Sequence, residues 1–476
     1  MRSLSLPAPP FFALDGVTSA LPPPPGPLLL VVSGPHRDTL EACVSGYETV
    51  RWTPDEYLVL EPGDRPVRRF PAILIDWDGL DVSPLIPLNR GYDLLRETGR
   101  LIILIKHESN DEERAAGNRR EAFYLEALAK HCGFAVHSAP APSDASAAVL
   151  VFQKSRGLRW QVAEPESEHV PGLIALFRKS FDAEMSPEFW NWKYGEGRGR
   201  AIIARRGGEI IAHYGGTTRR IWFRGQTLSA LEICDVMVAP KERGVMTKQG
   251  AFFHVASVFL ETFFGYRQEH FLAYGFPNHR HMRVAERLGL YGEVERVAEI
   301  RWAPLHAPPQ YGATSLLDLV NHPDIDGVVG SLWELMQKDL PDAIAVIRDP
   351  LYLRYRYLLN PHHAYDILTV LDRSTDCSRG LVVLRRDKEE CKLLDIVAPL
   401  KEIPLLIDHV RRQIAHWGLS GVTAWITVAY AALFVNTGGQ QLATEVCIPT
   451  NVLTEGPSVR ELKGRWWLMM GDTEFL

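Results

Sequence analysis

The stretch Asp235-Val-Met-Val-Ala-Pro-Lys-Glu-Arg-Gly244-Val-Met-Thr-Lys248 predicts a strand that runs into a phosphate-binding turn. Pro240 ends the strand, because proline cannot donate a hydrogen bond to a sheet. Residues Met246 to Glu261 then have the pattern of a helix. A helix N-terminus presents unpaired backbone N–H groups and the positive end of the helix dipole, so this stretch predicts a site for phosphate.

Three residues of the turn suit an anion. Gly244 lets the backbone approach the anion closely, and Arg243 and Lys241 add positive charge. The alternative interpretation is an ordinary strand-to-helix turn that carries two solvated bases. The turn by itself leaves both interpretations open.

A second strand and helix follow the turn. Phe271 to Asn278 predicts a short strand that runs into a turn, and His279 to Leu288 predicts a helix that Gly289 closes. The order strand, Pro-x-x-Arg-Gly, helix, strand, Asn, helix, Gly resembles the GNAT acyltransferase superfamily over residues 158–308. The resemblance implies the α+β GNAT fold, in which the first of these helix N-termini binds the pyrophosphate of coenzyme A.

Three further stretches are similar to one bacterial branch of that superfamily: Phe189-Trp-Asn-Trp-Lys-Tyr194, Tyr274-Gly-Phe-Pro-Asn278 and Trp466-Trp-Leu-Met-Met-Gly-Asp472. Members of the branch often stand among polysaccharide or amino-sugar biosynthesis enzymes. The resemblance therefore implies an N-acyltransferase that uses an acyl-CoA, with acetyl-CoA expected. Its acceptor would be the amine of a small molecule, such as an amino sugar or a sugar nucleotide.

The chain departs from the family at two places. The family's pyrophosphate loop usually reads Gln/Arg-x-x-Gly-x-Gly/Ala, whereas this chain has Lys241, Gly244 and the bulkier Met246 at those positions. Lysine supplies charge but not the planar fork of arginine. The tyrosine that usually protonates the leaving thiolate is replaced by Ala285. Both departures leave a catalytically decayed scaffold or binding protein as an alternative.

Composition excludes several classes of protein. The 476 residues predict two to three domains, and 46% hydrophobic and 23% charged residues are typical of a globular protein. A net charge of −6 argues against nucleic acid as the main partner, and so against a tRNA-dependent transferase with doubled GNAT folds. The longest apolar run, Val422 to Val435, is shorter than the ~20 residues of a membrane span. Scattered cysteines and the lack of a signal sequence predict a cytoplasmic protein.

The N-terminal third predicts an open α/β sheet. After a proline-rich tail (1–25), residues 26–155 alternate short apolar strands with helices. The strands are predicted at Leu28–Val32, Ala72–Asp76, Leu101–Ile105 and Val149–Phe152, and the helices at Arg90–Thr98 and Glu121–Cys132.

This region resembles the second half of a class I methyltransferase. The first strand, however, continues as Ser33-Gly34-Pro35-His36 rather than as a glycine-rich turn. A single glycine does not let the cofactor approach the backbone closely enough. The proline after it has no backbone N–H to donate to the cofactor. Asp76 and Asp78 could contact a ribose, but they also suit ordinary strand-end turns. We therefore expect a degenerate, non-catalytic methyltransferase-like domain.

Residues 309–476 contain a faint repeat of the acyltransferase region. Trp192-Lys-Tyr194 recurs as Tyr355-Arg-Tyr357, and the strand Leu231–Pro240 recurs as Cys391–Pro399. We call the phosphate-binding turn that follows Pro240 the cradle. The second copy continues Leu400-Lys-Glu-Ile-Pro404, which lacks Arg-Gly and has proline where the cradle should open. We expect a second GNAT-like domain without catalysis. Chance similarity of two strands is the alternative.

Direct attack on a thioester needs a base, since an amine with a pKa near ~10.4 is almost wholly protonated at pH 7. Glu232 and Asp235 lie on the strand before the cradle, three residues apart, so a regular strand would place them on opposite faces. Asp235 has a counterpart, Asp395, in the second copy, whereas Glu232 aligns with Lys392. Glu232 is therefore the first candidate for the base and Asp235 the second.

The resemblance implies roles for further residues. Backbone N–H groups of Val236 to Val238, at a strand bulge, would polarise the thioester carbonyl. Tyr274 or His281 could replace the missing tyrosine, or solvent could protonate the thiolate. Trp190, Trp192 and Tyr194 would line an acceptor pocket, although such aromatic residues are more often core. The complete cofactor set is Val236, Met237, Val238, Lys241, Arg243, Gly244, Val245, Met246, Thr247 and Asn278, the last contacting the pantetheine arm.

We expect no metal, because His362-His363 and the pair His279 and His281 lack a third ligand at a metal-binding spacing. The expected partner is a small-molecule amine, with neither nucleic acid nor a membrane. The sequence does not determine the oligomeric state, and a homodimer is one state that it allows.

Overall fold

The computed structural model describes residues 17–21, 26–32, 40–42, 44–58, 69–77, 80–106, 112–137, 147–155, 157–245, 247–307 and 314–474. Its strands and helices confirm the predicted α/β class. Contacts divide the chain into two compact units. The polyproline stretch, Ser33 to His36, Asp78 and Met246 lie outside the described residues.

The first unit consists of residues 1–166, 202–212 and 261–267. Its main sheet has the order β2-β1-β3-β4-β6-β5, in which β1 to β4 are parallel and β6 runs antiparallel to both of its neighbours. The elements are β1 Leu28–Val31, β2 Thr49–Trp52, α1 Pro54–Leu58, β3 Phe70–Asp76, α2 Leu85–Leu94, β4 Leu95–Lys106, α3 Glu112–His131, β5 Phe134–Val136, β6 Ala147–Lys154, β7 Gln161–Ala163 and a π-helix Glu261–Tyr266.

The predicted strands of this unit are present, but both predicted helices have other bounds. The helix predicted over Arg90–Thr98 ends at Leu94, and Leu95 begins β4. The reason is tertiary, because Leu95 pairs with Phe70, and Thr98 at φ 63° turns the chain before pairing resumes at Arg100. The helix predicted over Glu121–Cys132 begins earlier, at Glu112, and ends near Gly133.

The second unit consists of residues 167–201, 213–260 and 268–476. Strands β8 and β9 contribute residues to both units. The elements are α4 Val170–Phe181, α5 Pro187–Tyr194, β8 Gly199–Arg206, β9 Glu209–Phe223, β10 Gln226–Val238, α6 Ala251–Leu260, β11 Leu272–Gly275, α7 His279–Arg287, β12 Tyr291–Trp302, β13 Thr314–Asp318, α8 Ile325–Asp339, β14 Ile344–Val346, α9 Pro350–Leu353, β15 Asp366–Asp372, β16 Cys377–Arg386, β17 Glu390–Val397, α10 Ile403–His416, β18 Gly421–Thr427, α11 Ala431–Val435, β19 Gln440–Asn451, α12 Val459–Leu462 and β20 Trp466–Trp467.

Two sheets share the core of this unit by exchanging strands. The first has the order β11-β10-β9-β14-β20, so that two strands from the later part of the chain extend it. The second has the order β13-β15-β16-β17-β18-β12-β19, in which β12 lies antiparallel between β18 and β19. One continuous hydrophobic core therefore covers residues from Ile221 to Met470.

No helix among the described residues is long and apolar enough to cross a membrane.

The described cysteines are all free thiols; Cys132, Cys391 and Cys447 are buried, whereas Cys377 is exposed.

Candidate active site

Strand β10 separates from its neighbour where the candidate site begins. It pairs in parallel with β11 from Ala230–Leu272 to Ile233–Gly275, where β11 ends. Strand β10 continues to Val238, and Asp235 adopts a left-handed φ of 49°, which marks a bulge. Residues 233–236 are half-buried, so the strand lines an opening beyond the last β11 pair.

The turn after β10 is longer than predicted. Residues Pro240–Glu242 form a 3₁₀ turn, and α6 begins at Ala251 rather than at Met246. The Gly250 N–H donates to the Thr247 carbonyl at 2.9 Å, which closes a separate turn before the helix starts. The helix N-terminus therefore lies further along the chain than the sequence pattern indicates.

The positively charged side chains of this turn differ in their contacts. The Arg243 guanidinium donates to the carbonyl oxygens of Val238 at 2.8 Å and Ser180 at 3.2 Å, so it holds the turn in place. Lys241 is exposed. Lys248, which is not among the predicted cofactor-binding residues, lies 5.8 Å from the Phe253 ring in the first turn of α6.

Gly244 faces open space among the described residues, because none of them except its two chain neighbours has an atom within 4 Å of where a Cβ would stand. Val245 is half-buried, and Thr247 accepts a hydrogen bond from the Gln249 N–H at 3.3 Å. The turn therefore leaves room beside Gly244 for a bound group.

A buried charge network lies on the face of β9 and β10 that meets α5. Lys193 Nζ lies 2.7 Å from an Asp235 carboxylate oxygen and 3.2 Å from the Glu474 carboxylate. Arg219 also contacts Glu474, and its guanidinium donates to Glu232 at 2.8 Å. All five side chains are 8% exposed or less. Two cations thus face three carboxylates.

Both candidate bases belong to this one network, which corrects the expectation that they face opposite sides of the strand. The left-handed backbone at Asp235 breaks the alternation of the strand after Glu232. Arg219, Glu474 and Lys193 connect the two carboxylates in a continuous chain of ion pairs.

The two candidate bases differ in proton affinity. Burial raises the pKa of Glu232 to about 7, although Arg219 opposes the shift. Burial by itself would also raise the pKa of Asp235. Lys193 and the Tyr194 hydroxyl outweigh it and hold the pKa of that carboxyl below its usual range. Burial opposes the charged form of Lys193 too, yet Asp235 holds the pKa of the ammonium well above its usual range. A base works best when its pKa lies near the working pH, so the comparison favours Glu232.

Of the three aromatic residues of α5 that were predicted to line an acceptor pocket, only Tyr194 enters the network. Its hydroxyl donates to Asp235 at 2.7 Å and lies 3.4 Å from Cys234 Sγ. Trp190 stacks on Tyr194 with ring centroids 4.3 Å apart, and Trp192 donates from Nε1 to the Tyr355 carbonyl. Both tryptophans are largely buried, so the structure gives them packing contacts.

His213 is a fully buried residue that the sequence analysis missed. Its Nδ1 lies 2.7 Å from the Asp235 carbonyl oxygen, so this nitrogen donates and Nε2 carries the lone pair. Nε2 has no hydrogen-bond partner within the part of the chain that the structure describes. Burial lowers the pKa of His213, so the ring is neutral at pH 7. A second proton acceptor therefore lies beside the bulge.

Tyr274 lies on β11 directly opposite Glu232 and is fully buried. Its hydroxyl lacks a hydrogen-bond partner among the described residues, and burial raises the pKa of the phenol well above its usual range. The hydroxyl therefore keeps its proton at neutral pH and can donate a hydrogen bond. His281, the other candidate proton donor, lies in the first turn of α7. Ala285, which replaces the usual tyrosine, is buried further along the same helix.

Asn278 is the N-cap of α7. Its side-chain oxygen accepts a hydrogen bond from the His281 N–H at 3.0 Å, which stabilises the start of the helix. The helix ends near Gly289, as predicted, at φ 74°. The predicted pantetheine contact of Asn278 stays a prediction.

The second sheet repeats part of this geometry. Tyr357 donates to Asp395 at 2.9 Å, as Tyr194 does to Asp235. Asp395 also pairs with the fully buried Arg348 at 2.6 Å, and Arg348 pairs with Asp472 at 2.6 Å. The counterpart of the candidate site is thus a buried ion-pair cluster.

The opening beside β17 is occupied by the chain itself. Met469 forms a bridge to Ile426 of β18, and the Thr427 N–H donates to the Leu468 carbonyl. The following helix α10 has Pro404 in its first turn, where an N–H would otherwise face an anion. The second sheet therefore lacks both the opening and the cradle of the first.

Comparison with known proteins identifies the domain around the candidate site. The family described as "Acetyltransferase (GNAT) domain" matches residues 161–293. The chain therefore carries a GNAT acetyltransferase domain, and the predicted enzyme class, acyltransferase, is confirmed. No curated protein matches the chain.

Several solved structures are similar to this chain. A conserved protein of unknown function from Enterococcus faecalis V583, a probable N-acyltransferase, is 14% identical, with a TM-score of 0.48 over 64% of this chain and 73% of its own. A GCN5-related N-acetyltransferase from Anabaena variabilis is 16% identical, with a TM-score of 0.46 over 62% and 73%. N-myristoyltransferase of Saccharomyces cerevisiae with bound myristoyl-CoA is 8% identical, with a TM-score of 0.42 over 62% and 79%.

Proposed function

We propose that the chain is an acyl-CoA-dependent N-acyltransferase that transfers an acyl group, with acetyl expected, directly to the amine of a small molecule. The observation that carries the proposal is the opening where β10 continues past β11, beside Glu232 and before the turn at Gly244. A thioester in this opening would lie near the backbone N–H groups of Val236 to Val238. An amino sugar or a sugar nucleotide is the proposed acceptor, from the resemblance of the aromatic stretches.

The residues of the network can share the proton transfers. Glu232 as a carboxylate would take a proton from the acceptor ammonium, so that the neutral amine can attack the thioester. The Tyr274 phenol would protonate the leaving thiolate of coenzyme A. Burial raises the pKa of the Cys234 thiol well above its usual range, so Cys234 is a poor nucleophile. This supports direct attack by the amine rather than an acyl-cysteine intermediate.

We predict that coenzyme A binds at one site per chain, on the first sheet. Gly244→Val should weaken binding, because the new side chain would fill the space in front of the turn. Isothermal titration with coenzyme A measures both stoichiometry and affinity. Coenzyme A at 100 times its Kd should also stabilise the wild-type fold by about 2.7 kcal/mol in a thermal shift.

Lys401→Ala is the matched control for this prediction. Lys401 lies in the 3₁₀ turn after β17, at the place that corresponds to the first cradle. Its substitution should leave coenzyme A binding unchanged. Two equivalent sites per chain would contradict the assignment, and an absence of binding would favour the decayed scaffold.

We further propose that residues 26–155 are a methyltransferase-like scaffold without catalysis and that residues 309–476 form a second, non-catalytic GNAT-like domain. The open, mostly parallel sheet of the first unit supports the former proposal, and the Tyr357–Asp395 hydrogen bond supports the latter. We also propose that the protein is cytoplasmic and that it has neither a nucleic-acid partner nor a membrane partner.

The scaffold proposal predicts that the full chain does not bind S-adenosylmethionine. The continuation of the first strand as Ser33-Gly34-Pro35 lacks the glycine turn that the cofactor needs. Calorimetry with S-adenosylmethionine should give no heat of binding, while coenzyme A in the same preparation should. Micromolar binding of S-adenosylmethionine would overturn the assignment.

A further inference from the structure

Three side chains that commonly bind metals lie together outside the charge network. They are His279 at the start of α7, Glu293 in β12 and Cys447 in β19. One ligand atom from each lies within 4.8 Å of the other two. Cys447 is 2% exposed, and the other two side chains are half-buried. Glu293 and Cys447 follow His279 by 14 and 168 positions, so no short motif in the sequence marks the three as a set.

Backbone hydrogen bonds fix the three segments relative to one another. The Cys447 N–H donates to the Pro277 carbonyl at 2.9 Å, two residues before His279. Strands β12 and β19 are paired, with Arg296 opposite Cys447 and Glu293 opposite Pro449. The positions of the three Cα atoms are therefore set by regular structure and do not depend on side-chain contacts.

The ligand types select the metal. A thiolate, an imidazole and a carboxylate suit Zn²⁺, whereas Mg²⁺ and Ca²⁺ prefer oxygen ligands. In a tetrahedral zinc site with bonds of 2.0–2.3 Å, ligand atoms lie about 3.4–3.7 Å apart, so small side-chain movements would close the set. Three protein ligands would leave one position for water or another small ligand.

Arg296 is the group that competes for Glu293. Its guanidinium donates to the two oxygens of that carboxylate at 2.7 and 3.4 Å. The Arg296 side chain is 58% exposed, so it can move into solvent when a cation binds. A carboxylate also has enough lone pairs to accept a hydrogen bond from Arg296 and to bind a metal ion at the same time.

We propose that His279, Glu293 and Cys447 form a zinc site that links α7 to the second sheet. Binding replaces the proton of the Cys447 thiol, which passes to solvent, and no electron is transferred. None of the three ligands belongs to the charge network or to the predicted cofactor-binding residues.

Cobalt(II) titration of the untagged, metal-free full chain tests the site, because cobalt bound to thiolate gives a near-ultraviolet charge-transfer band. We expect one cobalt per chain, displaced by zinc. Cys447→Ser should abolish the band, and Cys377→Ser, which removes the exposed thiol, should leave it unchanged. Arg296→Gln should tighten zinc binding, because it removes the competing cation.

His279→Gln provides a second variant if Cys447→Ser fails to fold, since His279 is only half-buried. It should weaken zinc binding at least tenfold while the wild-type unfolding profile without metal is retained. No charge-transfer band in the wild type, or a band that survives in both Cys447→Ser and His279→Gln, would overturn the proposal.

Discussion

Glu232→Gln should lower the acyl-transfer rate by the ~10²–10⁴-fold typical of a lost general base, with coenzyme A affinity nearly unchanged. Glutamine keeps the shape of the side chain and can still accept from Arg219, but it cannot take a proton from the amine. Release of free coenzyme A from acetyl-CoA, with amino sugars as acceptors, measures the rate. Calorimetry with coenzyme A measures the affinity.

The pH dependence gives this prediction a second readout. Because the folded-state pKa of Glu232 is raised to about 7, the active carboxylate is present above that pH and is lost below it. The wild-type rate should therefore rise as pH increases through about 7. The rate of Glu232→Gln should lack this rise, and its defect should shrink toward the pKa of the amine itself, where the substrate arrives neutral.

Glu402→Gln is the control, since Glu402 is a buried carboxylate in the 3₁₀ turn after β17 that pairs with Arg379 at 2.7 Å. It should retain wild-type activity. If Glu232→Gln is fully active at neutral pH while Asp235→Asn is folded and inactive, Asp235 is the base instead.

Arg348→Met should destabilise the protein by about 3–5 kcal/mol. Arg348 is fully buried between Asp395 and Asp472, so its loss leaves two buried carboxylates without a cation. Guanidinium denaturation measures the loss. It should be smaller at pH 5 than at pH 8, because unpaired buried carboxyls have folded-state pKa values above their unfolded values and take up protons as the pH falls.

Arg354→Met is the control on the neighbouring segment. Arg354 pairs with Asp326 at 3.0 Å, but the two side chains are 49% and 55% exposed. Its loss should cost about 0–1 kcal/mol. Equal destabilisation by the two substitutions would show that the buried position of Arg348 contributes nothing.

Much of the fold could be predicted where local signals are strong. Pro240 marks the end of β10 to within two residues, and Gly289 marks the end of α7. The start of α6 could not be predicted, because Thr247 to Gly250 form a separate turn, although the helical pattern of the sequence runs through them without interruption. Pairing of Leu95 with Phe70 likewise overrides the helical pattern that precedes it.

The candidate site was predictable only in part. Glu232 and Asp235 were found because they lie on the strand that carries the motif, and Tyr194 because it ends an aromatic stretch. Arg219 and Glu474 are 255 positions apart in the sequence, so no local pattern could place them together. The available signals were a lysine within the aromatic stretch and a glutamate two residues after Asp472.

The strand exchange between the two sheets has a consequence for biosynthesis. Strand β12 emerges from the ribosome well before β18 and β19, and the first sheet must wait for β14 and β20. Contacts between such distant segments form slowly, and unpaired strand edges favour aggregation meanwhile. Because Glu474 completes the charge network, a nascent chain cannot assemble the candidate site until residue 474 has left the exit tunnel.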